Sequence, residues 1–212
     1  MSGWNLDFFV SALVTLLVVV DPVGLAPVFL GLTQGMSAEQ RRTVAIRAAL
    51  IAAAILAGVA LGGAWLLLQL GISLSAFRIA GGLLLFAIAF EMVYLQRTER
   101  QARTADDAVH KDHVHHIAAF PLAIPLLAGP GAIAATLLLS AQATGVPGKL
   151  ALLLLTIALV ALACMVVFEA SRFLARALGT TGNLVLSRLL GIVLAALAVQ
   201  YVVDGVRSAF WG

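Results

Sequence analysis

Six stretches of the chain are apolar for long enough to cross a bilayer, which takes about 20 residues each. They lie near 8–33, 44–70, 72–95, 118–142, 149–171 and 183–206. In lipid every backbone N–H and C=O must find its partner inside the protein, so runs of this kind become helices. Hydrophobic residues make up 62% of the 212 and charged ones 11%, too little polar surface to clothe a water-soluble domain of this length. The expected fold class is an all-α integral membrane protein of six transmembrane helices. The start, MSGWNLDFF, has no basic leader region and no small-residue cleavage site after it, so it reads as a retained span. The single Cys164 has no partner for an internal disulfide and reads as a small buried residue.

The net charge of +3 does not point to nucleic acid, because its distribution follows the membrane. With the N-terminus outside, the inner set is Arg41, Arg42, Arg47, Arg97, Arg100, Arg103, Lys111, Arg172, Arg176 and Arg188. The outer set is Arg78, Lys149 and Arg207. That divides the 13 basic residues as 10 to 3, which by the positive-inside rule places both termini outside. The polar segment Gln96–Ile117 then lies in the cytoplasm. It has almost no apolar content and reads as a mobile loop.

The chain also repeats weakly. Gly129-Pro130 in GPGAIAATLLLSAQ stands where Asp21-Pro22 stands in DPVGLAPVFLGLTQ, 108 residues on, and Gln34 and Gln142 keep that offset. Arg78 precedes Gly81 as Arg188 precedes Gly191, at an offset of 110. Residues 1–95 and 118–212 each hold three spans, an odd number, so the second set enters the membrane upside down. Inverted three-plus-three repeats recur in secondary transporters.

Asp21 and Pro130 fall near the middle of the first and fourth spans. An aspartate at that depth costs about 2.5–3.5 kcal/mol and must face protein or water. Asp is a favoured N-cap, and Pro suits the first helical position, where an N–H would go unbonded anyway. Both spans therefore read as broken, with new half-helices starting at Pro22 and Pro130. Two helix N-termini meeting near the midplane favour an anionic group, and Gly24 and Gly131 are expected to leave backbone open to it. The substrate-binding candidates are Asp21, Pro22, Gly24, Gly129, Pro130 and Gly131. The plain alternative is a pair of kinks made by residues common in membrane helices. Asp21 itself has three readings that can coexist: cap, partner of a substrate ammonium, or proton carrier.

Arg78, Glu91 and Arg188 are gate or coupling candidates, against the alternative of interfacial anchors that snorkel. Glu169 and Asp204 read as solvated span ends, and Gln200 as a bond between helices. His110, His113, His115 and His116 resemble a metal cluster, but their segment carries no scaffold signal, so no metal site is assigned and the histidines are expected to be dispensable. No nucleophile–base set, P-loop or dinucleotide fingerprint is present, so no enzyme and no cofactor is expected. Ser37-Ala38-Glu39 reads as a helix start.

DPVGLAPVFLGLT, FRIAGGLLLFAIAFEM and PLAIPLLAGPGAIAATLLLS resemble the hallmark segments of the MarC family, also called the six-span neutral amino acid transporter family. The resemblance covers essentially the whole chain. It implies a bacterial inner-membrane protein and transport of small neutral amino acids such as alanine and glycine. The His-rich third loop departs from the family pattern without touching its centre. A zwitterion would fit the site above, its carboxylate toward the half-helix N-termini and its ammonium toward Asp21. The Gly, Ala and Val surroundings leave little room for a large side chain. The implied partners are the bilayer, a small-molecule substrate and a coupling proton or sodium ion. Transport direction and oligomeric state stay open, a homo-oligomer included. Two rivals remain: efflux of a toxic compound or metal ion, and a structural or regulatory membrane protein with no substrate.

Overall fold

The structure, a computed structural model, describes residues 3–94, 117–146 and 148–210. The histidine loop lies outside these residues. The elements are α1 (Gly3–Val20), α2 (Pro22–Leu32), α3 (Ala38–Gln69), α4 (Leu74–Val93), α5 (Ala118–Leu127), α6 (Pro130–Ala143), α7 (Lys149–Glu169) and α8 (Ser171–Phe210). Five helical stretches are long and apolar enough to cross a membrane, α1 and α2 together forming the first. The pair α5–α6, bent by 58° at its break, makes a sixth.

Local chemistry sets the helix starts. Ser37 opens α3 as half of a capping box: its hydroxyl accepts from the Gln40 N–H at 3.2 Å, and the Gln40 side chain accepts from the Ser37 N–H at 2.9 Å. Ser73 opens α4 by accepting from the Ala76 N–H at 3.2 Å. The N-terminal part of the fourth span departs from expectation. Phe120 and Ile124 are extended, and the α5 coil is wide and irregular. Each precedes a proline, which pushes the residue before it out of the α region; the peptide bonds Phe120–Pro121 and Ile124–Pro125 are cis. The half-helix expected in this span is therefore its second part alone.

The irregular spans sit at the centre. In the first span 67% of the apolar window is buried, against 28% in α4, α7 and the membrane part of α8. Ten of the fourteen residues of α6 are buried. Broken backbone is tolerated at membrane depth only where protein covers it, and the regular helices supply the cover: α3 packs on α5, α6 and α7, and α7 also on α1. Their outer faces, with Leu61, Leu68, Leu83, Phe86, Leu162 and Val166, are apolar and exposed, as a lipid-facing surface requires.

The most extensive packing joins α4 to α8. Small residues recur every seventh position on both, Ser75, Gly82 and Ala89 against Gly205, Ala198 and Gly191. In each antiparallel pair the two numbers share one sum. A Cβ on Gly82 would lie 2.8 Å from the Ala198 carbonyl oxygen, one on Gly205 3.0 Å from that of Ser75, and one on Gly191 3.1 Å from that of Ala89. Without the attraction that water supplies between apolar faces, membrane helices associate by such close backbone approach.

One buried polar bond ties α6 to α3: the Ser140 hydroxyl donates to the Ala60 carbonyl at 2.6 Å. Interhelical bonds of this kind contribute about 0.6 kcal/mol on average and up to about 1.7. Ser140→Ala is therefore expected to cost about 1 kcal/mol, read by reversible unfolding in detergent. A loss above about 3 kcal/mol would mean that the site is carrying more than this bond.

Candidate functional site

Asp21 sits between α1 and α2 in the left-handed conformation, φ 52 and ψ 64, a region that aspartate and asparagine tolerate better than other non-glycine residues. Its carboxylate caps α2, with Oδ1 accepting from the Gly24 N–H at 3.0 Å. The helical bonding hardly stops: the Asp21 N–H donates to Leu17 at 2.9 Å, and its carbonyl accepts from Leu25 at 3.1 Å. The break at Asp21 is thus a change of dihedral that aims a carboxylate inward. The residue is 4% exposed, and Oδ2 lies 3.5 Å from the Ser187 hydroxyl of α8. Ser187 was not singled out by sequence reasoning; 166 residues separate it from its partner.

The second break differs. Gly129 is extended and Pro130 takes the first position of α6, but no side chain caps this helix. The start of α6 thus has no side-chain acceptor for its N–H groups, whereas in α2 the Gly24 N–H is served by Asp21. The two breaks lie side by side, since a Cβ on Gly131 would come within 3.3 Å of Val19 Cγ1, two residues before Asp21.

The glycines do not leave open backbone, contrary to expectation. A Cβ on Gly24 would collide with the Asp21 carboxylate, one on Gly129 with the Pro125 carbonyl oxygen, and one on Gly131 with the Ile88 side chain. At Gly129 the obstacle is backbone, which makes glycine necessary there; at Gly24 and Gly131 it is a side chain. Gly129→Ala is accordingly expected to destabilise by about 1–3 kcal/mol, the range for forcing extra volume into a packed interior. Unfolding midpoints measure this, and an unchanged midpoint would show that α5 yields freely.

Space lies elsewhere. A cavity of about 340 Å³ is lined by Val23, Ala26 and Pro27 of α2 and by Leu174, Leu178 and Asn183 of α8, among others. The α8 helix kinks beside it at Gly179, whose φ of 61 and ψ of −174 belong to a region open essentially only to glycine. The kink leaves part of the α2 face uncovered, away from the candidate residues, none of which lines this space. The sequence signal for this kink is Gly179 within GTTGN.

The gate candidates fall at two levels. Arg78, near the start of α4, is half-buried, and its Nε is buried without a hydrogen-bond partner. Its charge bears on the Tyr201 hydroxyl, which faces Thr15 and Gln142. Glu91 is half-buried about 20 Å further along α4, at 1.5 Å per residue. Arg188 is exposed, and the α4–α8 register sets it level with Met92. Gln200 donates to Asp204 within α8 at 2.8 Å, so it does not bond between helices. Among the described residues no cluster of His, Cys, Asp or Glu could hold a metal ion.

Broken central spans, a buried acid at the break and a lipid-facing apolar exterior define a multi-pass helical membrane protein with an internal polar site. The chain belongs to the MarC family of integral membrane proteins, whose model matches residues 6–210. It is 40% identical over 205 residues to a UPF0056 membrane protein of Archaeoglobus fulgidus, covering 96% of this chain and 94% of that one. It is 37% identical to a UPF0056 membrane protein of Methanocaldococcus jannaschii (97% and 98% covered). Against the UPF0056 membrane protein YhcE of Escherichia coli the figure is 35% (93% and 91%). Archaeal relatives thus stand beside bacterial ones. No solved structure matches the chain.

Proposed function

We propose that the protein is a secondary transporter of small neutral amino acids or similar zwitterionic metabolites, seated in the cell's inner membrane. The observation that carries this reading is the pairing of unlike ends at the two breaks. A buried carboxylate stands at Asp21, and uncapped helical N–H groups stand beside it at the start of α6. An ammonium is complementary to the first and a carboxylate to the second. A fixed zwitterion receptor of this kind costs little to keep in the membrane. The Asp21 charge is offset by the Gly24 N–H, the α2 dipole and Ser187, and the whole lies within the buried central spans. The Ile88 side chain over Gly131 must move aside when a carboxylate reaches α6.

The offsets of 108 and 110 support an inverted repeat of 1–95 and 118–212, with the two breaks as its paired elements. Pro22 and Pro130 occupy the same first helical position in α2 and α6. Counterflow of labelled alanine and glycine in proteoliposomes tests the function. Uptake against an unlabelled internal pool, absent from vesicles holding an unrelated membrane protein, is the expected result. Its absence for every amino acid tried favours a structural or regulatory protein.

The orientation proposed has both termini outside and 96–117 in the cytoplasm, supported by the 10-to-3 distribution of basic residues. Reporter fusions at the C-terminus and within 96–117 are expected to be active on opposite sides of the membrane. A cytoplasmic C-terminus would overturn the orientation and the repeat together.

A further inference from the structure

We propose that the cavity between α2 and the kinked start of α8 is the side-chain pocket of the transport site. Amino acids with aliphatic side chains of about three or four carbons are then its preferred solutes, ahead of alanine and glycine. This rests on the reading of Asp21 and α6 as the head-group site and adds what lies below it.

Both walls of the cavity run on from the neighbourhood of Asp21, although neither Asp21 nor Ser187 lines it. On α2, Val23 and Ala26 follow the aspartate by two and five residues. On α8, Asn183 lies one turn from Ser187, whose hydroxyl lies 3.5 Å from the Asp21 carboxylate. A solute with its ammonium at Asp21 and its carboxylate at α6 has one substituent left to place, and this is the adjoining space.

Volume and chemistry then select the substituent. The space, about 340 Å³ and partly open where Pro27, Ala175 and Gly179 are exposed, is far more than a methyl group fills. Val23, Ala26, Leu174 and Leu178 make its walls apolar. Asn183 is the exception: it is 8% exposed, and among the described residues no hydrogen bond holds its amide. A pure hydrocarbon such as a lipid acyl chain would leave that buried amide unsatisfied, which is unfavourable. An amphiphile, with its polar end along Asn183, Ser187 and Asp21, does not. Each methylene buried in such a pocket improves binding about four-fold.

The test uses the full-length protein in proteoliposomes, with glycine, alanine, valine, leucine and norleucine competing against labelled alanine. Thermal stabilisation of the purified protein by the same solutes is a second readout. Leucine is expected to compete at least about 10-fold better than alanine. Ala26→Phe fills the cavity and is expected to reverse that order, lowering competition by leucine far more than competition by alanine. Leu178→Ala enlarges the cavity and is expected to extend the preference to longer chains, which keeps the test decisive if Ala26→Phe does not fold. Alanine and glycine exchange with leucine no better than alanine overturns the pocket and leaves the head-group reading standing. So does an equal loss for all solutes in a folded Ala26→Phe, the result expected if lipid fills the cavity. Neither exchange nor stabilisation by any amino acid overturns both.

Discussion

Asp21→Asn is expected to lower exchange at least about 100-fold while the protein stays folded. Asparagine has nearly the same shape, tolerates the left-handed backbone at this position, and keeps an oxygen to accept from the Gly24 N–H, 3.0 Å away in the native protein. The cap survives and only the charge goes. An ammonium brought into this buried site would then lack its counter-charge, a loss of about 3–5 kcal/mol for a broken buried pair. Unfolding midpoints should shift by no more than about 2 °C. Asp21→Ala is the contrasting variant. It removes the cap, at about 1 kcal/mol, and puts alanine in a conformation that costs about 1–2 kcal/mol, so it should lose stability as well. Exchange by Asp21→Asn at more than half the native rate would reduce Asp21 to a helix cap and remove the ground for a zwitterion site.

Gly82→Leu is expected to prevent accumulation of folded protein. The obstacle is backbone, which cannot rotate away: a Cβ there would sit 2.8 Å from the Ala198 oxygen and 3.0 Å from the Val202 nitrogen. The remaining leucine atoms would separate α4 from α8 along the seam that holds them. Gly82→Ala, with one carbon added, should cost about 1–3 kcal/mol. Gly58→Ala on α3 is the control, because nothing lies within 4 Å of its Cβ position. It should be neutral or gain up to about 1 kcal/mol from helix propensity. Detergent-extracted yield and size-exclusion profiles of the three variants measure the difference. A Gly82→Leu protein as abundant and monodisperse as Gly58→Ala would mean that the two helices do not meet at this register.

What could be read from the residue order were properties settled within about 20 neighbouring residues. Whether a run partitions into lipid depends on its own side chains, so the spans, the all-α class and the lipid-facing exterior followed from the apolar runs. Caps are equally local. Asp21 reaches a backbone N–H three residues on, and Pro22 and Pro130 mark first helical positions whatever surrounds them, so both breaks were legible. The irregular coil of α5 and the kink at Gly179 are local too, marked by the prolines of FPLAIP and the glycines of GTTGN.

Occupancy of space was another matter, because it depends on atoms that arrive from distant parts of the chain. A glycine beside a break looks like open backbone until its neighbours are known. Pro125 and Ile88 turned out to close Gly129 and Gly131, and the Asp21 carboxylate to close Gly24. The room instead opened between α2 and α8, about 150 residues apart in sequence, where Ser187 also meets Asp21. Residue order alone determined that this chain enters a membrane as helices, with a carboxylate held at the centre of the first. Only the tertiary structure decided what stands beside that carboxylate and where space is left between the helices, since packing is a property of pairs of surfaces and neither surface carries a record of the other.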